Sequence, residues 1–261
     1  MEKGAKVFIG TSGWSYKHWG ERFYPKDIPQ AEHLQYYASH FPTVEINATF
    51  YRLPSESMVQ GWHRKAPPGF IYAVKGSRLI THYKRLQDVQ DPLHNFIERI
   101  SELKNHLGPI LWQLPPNFKK DISRLKSFFK ELPKKYDHAV EFRHPSWIDD
   151  EVFDLLRDYQ IAQVWLSSLR MPVNFTVTSD FVYMRLHGLE GGFSHDYTES
   201  ELEPWAKRIR KAAESEKPVF VYFNNDANAR APDNAKKLMN MVEPYAVPAF
   251  LEEEEYETCS G

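Results

Sequence analysis

The sequence predicts a single (β/α)8 barrel, and two observations support this fold class. The chain has 261 residues, close to the roughly 250 that one such barrel needs. Short apolar runs recur along it, and segments with helical spacing separate most of them. The eight runs are Val7–Ser12, Thr43–Asn47, Phe70–Lys75, Pro109–Leu114, Ala139–Arg143, Ile161–Leu166, Phe181–His187 and Pro218–Asn224. Because the runs are almost continuously apolar, they are typical of parallel strands that are buried on both faces.

A doubly wound open sheet is the rival architecture for alternating strands and helices. It would be favoured by a glycine-rich phosphate loop with G-x-G-x-x-G spacing directly after the first strand. The segment from Gly10 to Gly13 reads Gly-Thr-Ser-Gly and lacks that spacing. We therefore expect the closed barrel.

The helices are predicted from apolar residues that recur every three to four positions. The clearest pattern covers Pro92–Leu107, and Thr198 with Glu201 forms a capping box, which typically opens a helix. Asp121 and Ser55 stand where N-caps are expected. The predicted helices are one through Leu34 to Phe41, one after Ser55, then Pro92–Leu107, Asp121–Leu132, Asp149–Tyr159, Thr198–Ser215 and Ala231–Val242.

Two stretches depart from the repeating pattern. Ser167–Asp180 is short, contains Pro172 and lacks a helical period, so the crossover after the sixth strand should be irregular or abbreviated. Residues 244–261 are rich in glutamate, with four in a row at Glu252–Glu255. We therefore expect a barrel domain over residues 7–243 and a poorly ordered acidic tail over 244–261.

Composition limits the classes of partner. The formal net charge of −2 gives no overall attraction to nucleic acid or to an anionic membrane, so nucleic acid is disfavoured as a partner. The single cysteine, Cys259, excludes an intramolecular disulfide framework and a cysteine-based zinc site. No segment approaches the roughly 18 apolar residues of a spanning helix, and residues 1–6 lead into no secretory apolar segment. We expect a cytoplasmic protein without a membrane partner, and composition leaves the oligomeric state open.

The active sites of such barrels lie where the strands end, and polar residues accumulate there in this chain. Because side chains on a strand alternate between faces, Glu45 and Asn47 share a face, as do Glu141 with Arg143 and Arg185 with His187. We expect Glu45 or Glu141 to serve as a general base and His187 as a proton shuttle, since an unperturbed histidine has a pKa near ~6.5. The predicted ligand-binding residues are Ser12, Trp14, Asn47, Tyr51, Lys75, Gln113, Arg143, His144, Arg185, Asn224 and Asn225.

The cations in this set outnumber the two carboxylates, which favours a small ligand carrying phosphate or carboxylate. An alternative is that the charged residues form a buried ion-pair lattice that only fills the barrel. A metal site built from Glu45, Glu141, His144 and His187 is a further alternative. The neighbouring cations would repel a metal, and no H-x-x-x-H or H-E-x-x-H spacing exists, so we expect neither a metal nor another cofactor.

Several motifs resemble those of the DUF72 (YecE-like) family, and the resemblance covers about residues 7–243. The matching segments are Ile9–Tyr16, Trp19–Gly20, Phe23–Pro25, Val44–Asn47, Thr49–Pro54, Phe70, Ala73–Lys75, Ile80–His82, Gln113–Pro116, Glu141–Trp147, Arg185–Gly188, Tyr222–Asn225, Ala231–Pro232 and Asn234–Ala235. The resemblance implies a TIM barrel, with a loose kinship to sugar isomerase-like barrels at the level of the fold. It implies no reaction. One departure is Ser167–Ser168, where the family often carries an acidic residue.

The leading functional hypothesis is an enzyme, of isomerase, lyase or hydrolase type, that acts on a small anionic, phosphorylated or sugar-like compound by acid–base chemistry. A protein that binds an anionic metabolite or nucleotide without turnover is the second hypothesis. A metal-dependent phosphodiesterase is a third, disfavoured by the net charge and by the ligand types.

Overall fold

A computed structural model of the chain describes residues 4–250 and confirms the closed barrel. Eight parallel strands pair in chain order, and the last strand pairs with the first. The strands are β1 Val7–Ser12, β2 Thr43–Ile46, β3 Ile71–Lys75, β4 Leu107–Gln113, β5 His138–Glu141, β6 Ala162–Ser167, β7 Val182–Leu186 and β8 Val219–Phe223. The apolar runs therefore predicted every strand of the barrel, with ends displaced by a few residues at most.

The helices surround the barrel in the order that the periodicity predicts. They are α1 His33–Ala38, α2 Ala48–Tyr51, α3 Glu56–Lys65, α4 Gln90–Ser101, α5 Ile122–Glu131, α6 Asp150–Asp158, α7 Glu199–Glu214 and α8 Arg230–Met241. The predicted caps are present: Ser55 accepts from the Met58 N–H at 3.2 Å and Asp121 from the Arg124 N–H at 3.0 Å. Each satisfies an N–H that the first turn of its helix leaves without a partner.

The long helix expected over Pro92–Leu107 is shorter than predicted. It ends at Ser101, and a separate 3-10 turn covers Lys104–His106 before β4 begins at Leu107. Lys104 has a φ of 53°, a left-handed conformation that an α-helix cannot contain. The turn points the His106 ring inward, where Nδ1 lies 2.8 Å from the Phe70 carbonyl oxygen.

The crossover between β6 and β7 contains no helix, as expected from its composition. The short segments that were missed include α2 and a π-helical turn at Leu79–Tyr83. Each occupies a single turn or little more, so neither gives the repeated apolar spacing from which a helix is predicted.

Residues 244–250, which the sequence assigns to the acidic tail, pack against the barrel. The Val7 N–H donates to the Tyr245 carbonyl at 3.0 Å, and the Val247 N–H donates to the Val7 carbonyl at 2.9 Å. Phe250 lies against Phe70, with ring centroids 6.3 Å apart. These contacts join residues 244–250 to β1 and to Phe70. Residues 251–261, which include Glu252–Glu255, lie outside the described residues.

The interior of the barrel changes from apolar to charged along its axis. Phe8 stacks on Phe220 with centroids 5.0 Å apart, and Tyr183 and Tyr222 lie farther along their strands in the same interior cluster. Two residues beyond Tyr183 comes Arg185, which points to the same interior because the strand period is two. Among residues 4–250, no helix has the length and apolar character needed to cross a membrane.

The capping box of α7 gives a test of the helix assignment. The Thr198 hydroxyl accepts from the Glu201 N–H, and the Glu201 carboxylate accepts from the Thr198 N–H. We expect Thr198→Ala to lower the free energy of unfolding by about 1 kcal/mol, measured by urea denaturation. Lys207→Ala, which changes an exposed residue of the same helix, is the control. Equal stability of the two variants would contradict the capping role.

Candidate active site

A buried arginine joins two carboxylates from different strands inside the barrel. Arg185 of β7 donates from Nε to Oε2 of Glu45 at 2.9 Å and from Nη2 to Oε1 of Glu45 at 2.7 Å. Its Nη1 donates to Oε2 of Glu141 at 2.6 Å. Arg185 and Glu45 are fully buried and Glu141 is almost so. A planar guanidinium has five N–H donors in a fixed arrangement, so it can bind one carboxylate through two N–H groups and still donate to a second.

Additional donors complete the pairing of Glu45. The Ser12 hydroxyl donates to Oε1 at 2.7 Å and the Tyr183 hydroxyl donates to Oε2 at 2.7 Å. Burial alone would raise the pKa of Glu45, but the charge and hydrogen bonds of Arg185 outweigh it and hold the pKa below its ordinary value. Both oxygens of Glu45 are therefore occupied and the group is ionised, so it has no lone pair directed at the cavity.

Glu141 is held in the same way from the other side. Arg143 donates from Nε to Oε1 of Glu141, while Arg185 occupies Oε2. Burial opposes ionisation here too, but Arg143 and Arg185 together hold the pKa of Glu141 well below its ordinary value. Arg143 and Arg185 therefore fix the positions of both carboxylates in their ionised form.

His187 lies above Arg185 on β7 and contacts both arginines. Its Nε2 is 2.9 Å from Nη2 of Arg143 and 3.0 Å from Nη1 of Arg185. A guanidinium can only donate, so Nε2 must accept and the proton must lie on Nδ1. The amide nitrogen of Asn224 is 2.8 Å from Nδ1, and turning the amide over brings its oxygen to the same place, where it accepts that proton. Burial, followed by repulsion from Arg185, lowers the pKa of His187 to about 4.

Above this network the barrel opens into a cavity of about 920 Å³, at the upper end of the range for small-molecule sites. Its cationic wall carries Lys75, Arg143, Arg185, Arg52 and Arg170. No aspartate or glutamate lines it within residues 4–250. The carboxylates of the barrel lie beneath the floor of the cavity, and the cations reach its surface.

Lys75, at the end of β3, is held differently from the arginines. Its Nζ lies 4.3 Å from the centroid of the Phe50 ring. Within residues 4–250, no carboxylate oxygen lies within 4.0 Å of this ammonium group. Burial, followed by repulsion from Arg185, lowers the pKa of Lys75 to about 8.

Another part of the cavity lining is aromatic. Trp14 meets Trp62 edge to face, with centroids 6.0 Å apart and an interplanar angle of 84°, and both line the cavity with Tyr16, Tyr51 and Met58. Rings of this kind can stack on the apolar face of a sugar or on a base. The cavity therefore presents a cationic wall and an aromatic wall to the same ligand.

The family model described as "Protein of unknown function DUF72" matches residues 8–256. The chain belongs to the DUF72 family. The UPF0759 protein YunF of Bacillus subtilis (strain 168) is 26% identical over 271 residues, which cover 91% of this chain and 95% of that protein. The UPF0759 protein YecE of Escherichia coli (strain K12) is 30% identical over 142 residues, covering 54% of this chain and 50% of that protein.

Solved structures of the DUF72 family share the barrel. A DUF72 family protein of Thermotoga maritima MSB8 superposes with a TM-score of 0.83 at 30% identity, covering 91% of this chain and 99% of that one. A second, from Enterococcus faecalis V583, has a TM-score of 0.77 at 20% identity over 90% of this chain and 95% of that one. The match to the family model extends through the end of the described residues, beyond the resemblance expected from the motifs.

The DUF72 barrel brings nine of the fourteen predicted site residues to the cavity wall. These are Trp14, Asn47, Tyr51, Lys75, Gln113, Arg143, Arg185, His187 and Asn224. The other five do not line it. Ser12, Glu45 and Glu141 lie in the network beneath the floor. His144 instead caps the turn at Pro145–Trp147, where its Nδ1 accepts from the Ser146 N–H at 3.1 Å.

Asn225 is turned away from the cavity. Its side-chain amide donates to the His195 carbonyl at 2.8 Å and to Oδ1 of Asn234 at 2.7 Å. Neighbouring residues after a strand point to opposite faces, so Asn224 reaches the cavity and Asn225 cannot. Its contacts join the loops after β7 and β8.

The wall residues that were not predicted include Arg52, Trp62, Arg170 and Phe193. Arg170 and Phe193 come from the loops after β6 and β7. The missing helical period after β6 was an available signal, since an irregular crossover leaves a loop at this end of the barrel. Gly188 has a φ of 94°, and a Cβ there would lie 1.8 Å from the Gly192 carbonyl oxygen, so the turn carrying Phe193 requires glycine.

The alternative of a metal centre would require a cluster of ligand side chains. Within residues 4–250, no three histidine, cysteine, aspartate or glutamate side chains are grouped so as to hold a metal ion. Glu45, Glu141 and His187 would be needed together, and Arg185 contacts all three. A metal would have to displace this buried guanidinium.

Removal of Arg185 should leave Glu45 and Glu141 buried without this ion-pair partner. We expect Arg185→Met to lower the free energy of unfolding at pH 7 by about 3–5 kcal/mol, measured by urea denaturation. Arg157→Met, which breaks an ion pair whose side chains are 48% and 71% exposed, should cost at most about 1 kcal/mol.

The difference in the free energy of unfolding between the native protein and Arg185→Met should become smaller as the pH falls toward 5. In the native protein the lowered pKa values of Glu45 and Glu141 contribute stability that is present above the pKa values of the unfolded chain and lost in acid. Without Arg185, burial raises the pKa values of Glu45 and Glu141. Both carboxylates then become protonated as the pH decreases, which removes the cost of burying their charge. A difference in the free energy of unfolding that does not vary with pH would contradict the conclusion that Glu45 and Glu141 are ionised.

Proposed function

We propose that this DUF72 protein is an enzyme that binds a small anionic compound in the cavity and acts on it by acid–base chemistry. The observation that supports the proposal is the distribution of charge: cations line the cavity wall, while Glu45 and Glu141 lie beneath its floor. A ligand anion would meet Lys75 and Arg143 in a partly desolvated site, where charge-assisted hydrogen bonds are stronger than in water.

The two walls favour a ligand with two parts. The cationic wall suits a phosphate or carboxylate, since a guanidinium can bind either through two parallel N–H groups. The aromatic wall formed by Trp14, Trp62 and Tyr51 suits a sugar ring or another flat apolar body. A phosphorylated or sugar-like compound fits both requirements.

Among the predicted catalytic residues, His187 is the one whose ring reaches the cavity. With a pKa of about 4 it is neutral at physiological pH, so it would act as a base or as a neutral hydrogen-bonding group. In this proposal Glu45 and Glu141 are positioning residues. They fix Arg185 and Arg143, which in turn hold the imidazole with Nε2 unprotonated.

A protein that binds the anion without turnover is the second candidate. The observation that favours it is that both ring nitrogens of His187 already have partners, so the ring can transfer a proton only if a ligand displaces one of them. The two candidates share the cavity and differ only in turnover.

A screen of anionic metabolites by thermal shift, followed by turnover assays on the hits, tests the proposal. For a hit that is turned over, His187→Gln should lower kcat by roughly 10²- to 10⁴-fold, the usual contribution of a general acid or base. Binding without turnover of any hit would favour the second candidate, and the absence of anion binding would overturn both.

Anion binding should depend on Arg143. We expect Arg143→Gln to weaken the binding of inorganic sulfate roughly 10- to 100-fold, because one charge-assisted hydrogen bond contributes about 1.5–3 kcal/mol. The measurement is the sulfate-dependent shift in Tm relative to each protein without sulfate. Arg157→Gln, on the exposed face of α6, is the control, and equal shifts in both variants would contradict binding in the cavity.

Sulfate binding should also become weaker as the pH rises through about 8. Lys75 in the free cavity loses its proton near that pH, while bound sulfate would favour the ammonium form and raise its pKa. Binding near pH 8 should therefore take up protons, which calorimetry in two buffers of different ionisation enthalpy measures. Sulfate itself keeps its charge over this range. The same proton uptake in Lys75→Met would contradict the role of Lys75.

A further inference from the structure

Lys75 differs from the other cations of the network in its environment. Arg143 and Arg185 each donate to a carboxylate, whereas the Lys75 ammonium has no carboxylate within ion-pair distance in the described part of the chain. Its Nζ lies over the face of the Phe50 ring. The side chain therefore brings a primary amine to the cavity wall without a carboxylate in direct contact with it in the described part of the chain.

The backbone around Lys75 is fixed. The Thr49 hydroxyl donates to the Lys75 carbonyl at 2.7 Å, and the Gly76 N–H donates to the Leu111 carbonyl at 2.8 Å. A Cβ at Gly76 would lie 2.3 Å from the Trp112 ring, so the chain packs too closely there for any side chain. The amine thus projects from the rigid end of a strand.

An amine becomes a nucleophile when it loses its proton, and proteins promote that loss by desolvation or by a second cation nearby. Both conditions hold at Lys75, through desolvation by burial and through the positive charges of Arg185 and Arg143. With a pKa of about 8, roughly a tenth of the side chain is unprotonated at pH 7. For an ordinary lysine, with a pKa near 10.4, that fraction is below about a thousandth.

We propose that Lys75 is a catalytic nucleophile that forms a Schiff base with the carbonyl carbon of a small anionic aldehyde or ketone. This inference rests on the proposed function, since the cationic wall must hold the anionic group of that compound. Arg143 and Arg170 line the same cavity and would bind the phosphate or carboxylate.

The reaction needs no oxidant, reductant or further reactant. The nitrogen lone pair attacks the carbonyl carbon, a proton passes from nitrogen to oxygen, and the C–O bond then breaks with loss of one water. The resulting C=N bond, once protonated, draws electrons from the adjacent carbon. Acid–base steps at that carbon are therefore accelerated, as expected of an enzyme of the isomerase or lyase class.

Reductive trapping tests the proposal. The full-length protein is incubated near pH 7 with sodium cyanoborohydride and, separately, with pyruvate, glyoxylate or dihydroxyacetone phosphate. We expect at least one of these probes to add its own mass less one oxygen atom to the protein, located at Lys75 by peptide mapping. Neutral dihydroxyacetone should label Lys75 more slowly than its phosphate, because it lacks the group that the cationic wall binds.

Two variants give matched controls. Lys75→Arg keeps the positive charge but has no primary amine, so it should lose the adduct. Lys126→Arg, which changes an exposed lysine of α5, should keep the Lys75 adduct. Labelling at Lys75 should exceed labelling at Lys126 by roughly 10-fold or more, because burial and the neighbouring arginines lower the pKa of Lys75.

The outcomes separate this inference from the proposed function. No adduct at Lys75 with any of the three probes, in a protein that still binds sulfate, would overturn the Schiff base and leave anion binding intact. Equal labelling of Lys75 and Lys126 would also overturn it. A protein that binds no sulfate and forms no adduct would refute both proposals.

Discussion

The pairing of Arg185 with Glu45 and Glu141 is the interaction on which the rest of the site depends. Any of these three ions would be costly to bury alone, and the interior of such a barrel is ordinarily filled by branched apolar side chains. Together they form a hydrogen-bonded layer above the apolar one. This layer connects β2, β5 and β7, and it forms the floor on which the cavity residues are arranged.

The floor also determines the chemistry of the wall. Because the two carboxylates lie below and are occupied by Arg185 and Arg143, they offer the cavity no acceptor of their own. Their negative charge still reaches Lys75, and it favours the ammonium form. Burial and the facing arginines outweigh that effect, which leaves a lysine of lowered pKa beside arginines that stay charged. One cavity therefore combines permanent cations for holding an anion with an amine that can lose its proton.

Alternation along the strands predicted the composition of the site but not its depth. The period of two correctly put Glu45 with Asn47 and Glu141 with Arg143 on the barrel interior. It could not show that the first member of each pair lies about 6–7 Å deeper, two residues down the strand, and so beneath the floor. That depth depends on the stagger of eight strands in a closed barrel. The wall residues Arg170 and Phe193 depend on loop conformation, for which the sequence has no periodic signal.

A buried ion-pair network is weak evidence for stability, since apolar residues of similar volume often serve as well or better. The presence of the charged layer in this barrel therefore needs an explanation other than stability. The contacts on the side of the layer that faces the cavity provide one. The two arginines that neutralise the carboxylates also donate to Nε2 of His187, so the same contacts that satisfy the buried charges select the tautomer of the imidazole above them. A purely apolar layer could fill the barrel, but it could neither orient Arg143 toward the cavity nor direct N–H donors to Nε2 of His187. The network thus accounts for the geometry of the cavity wall better than for the stability of the barrel.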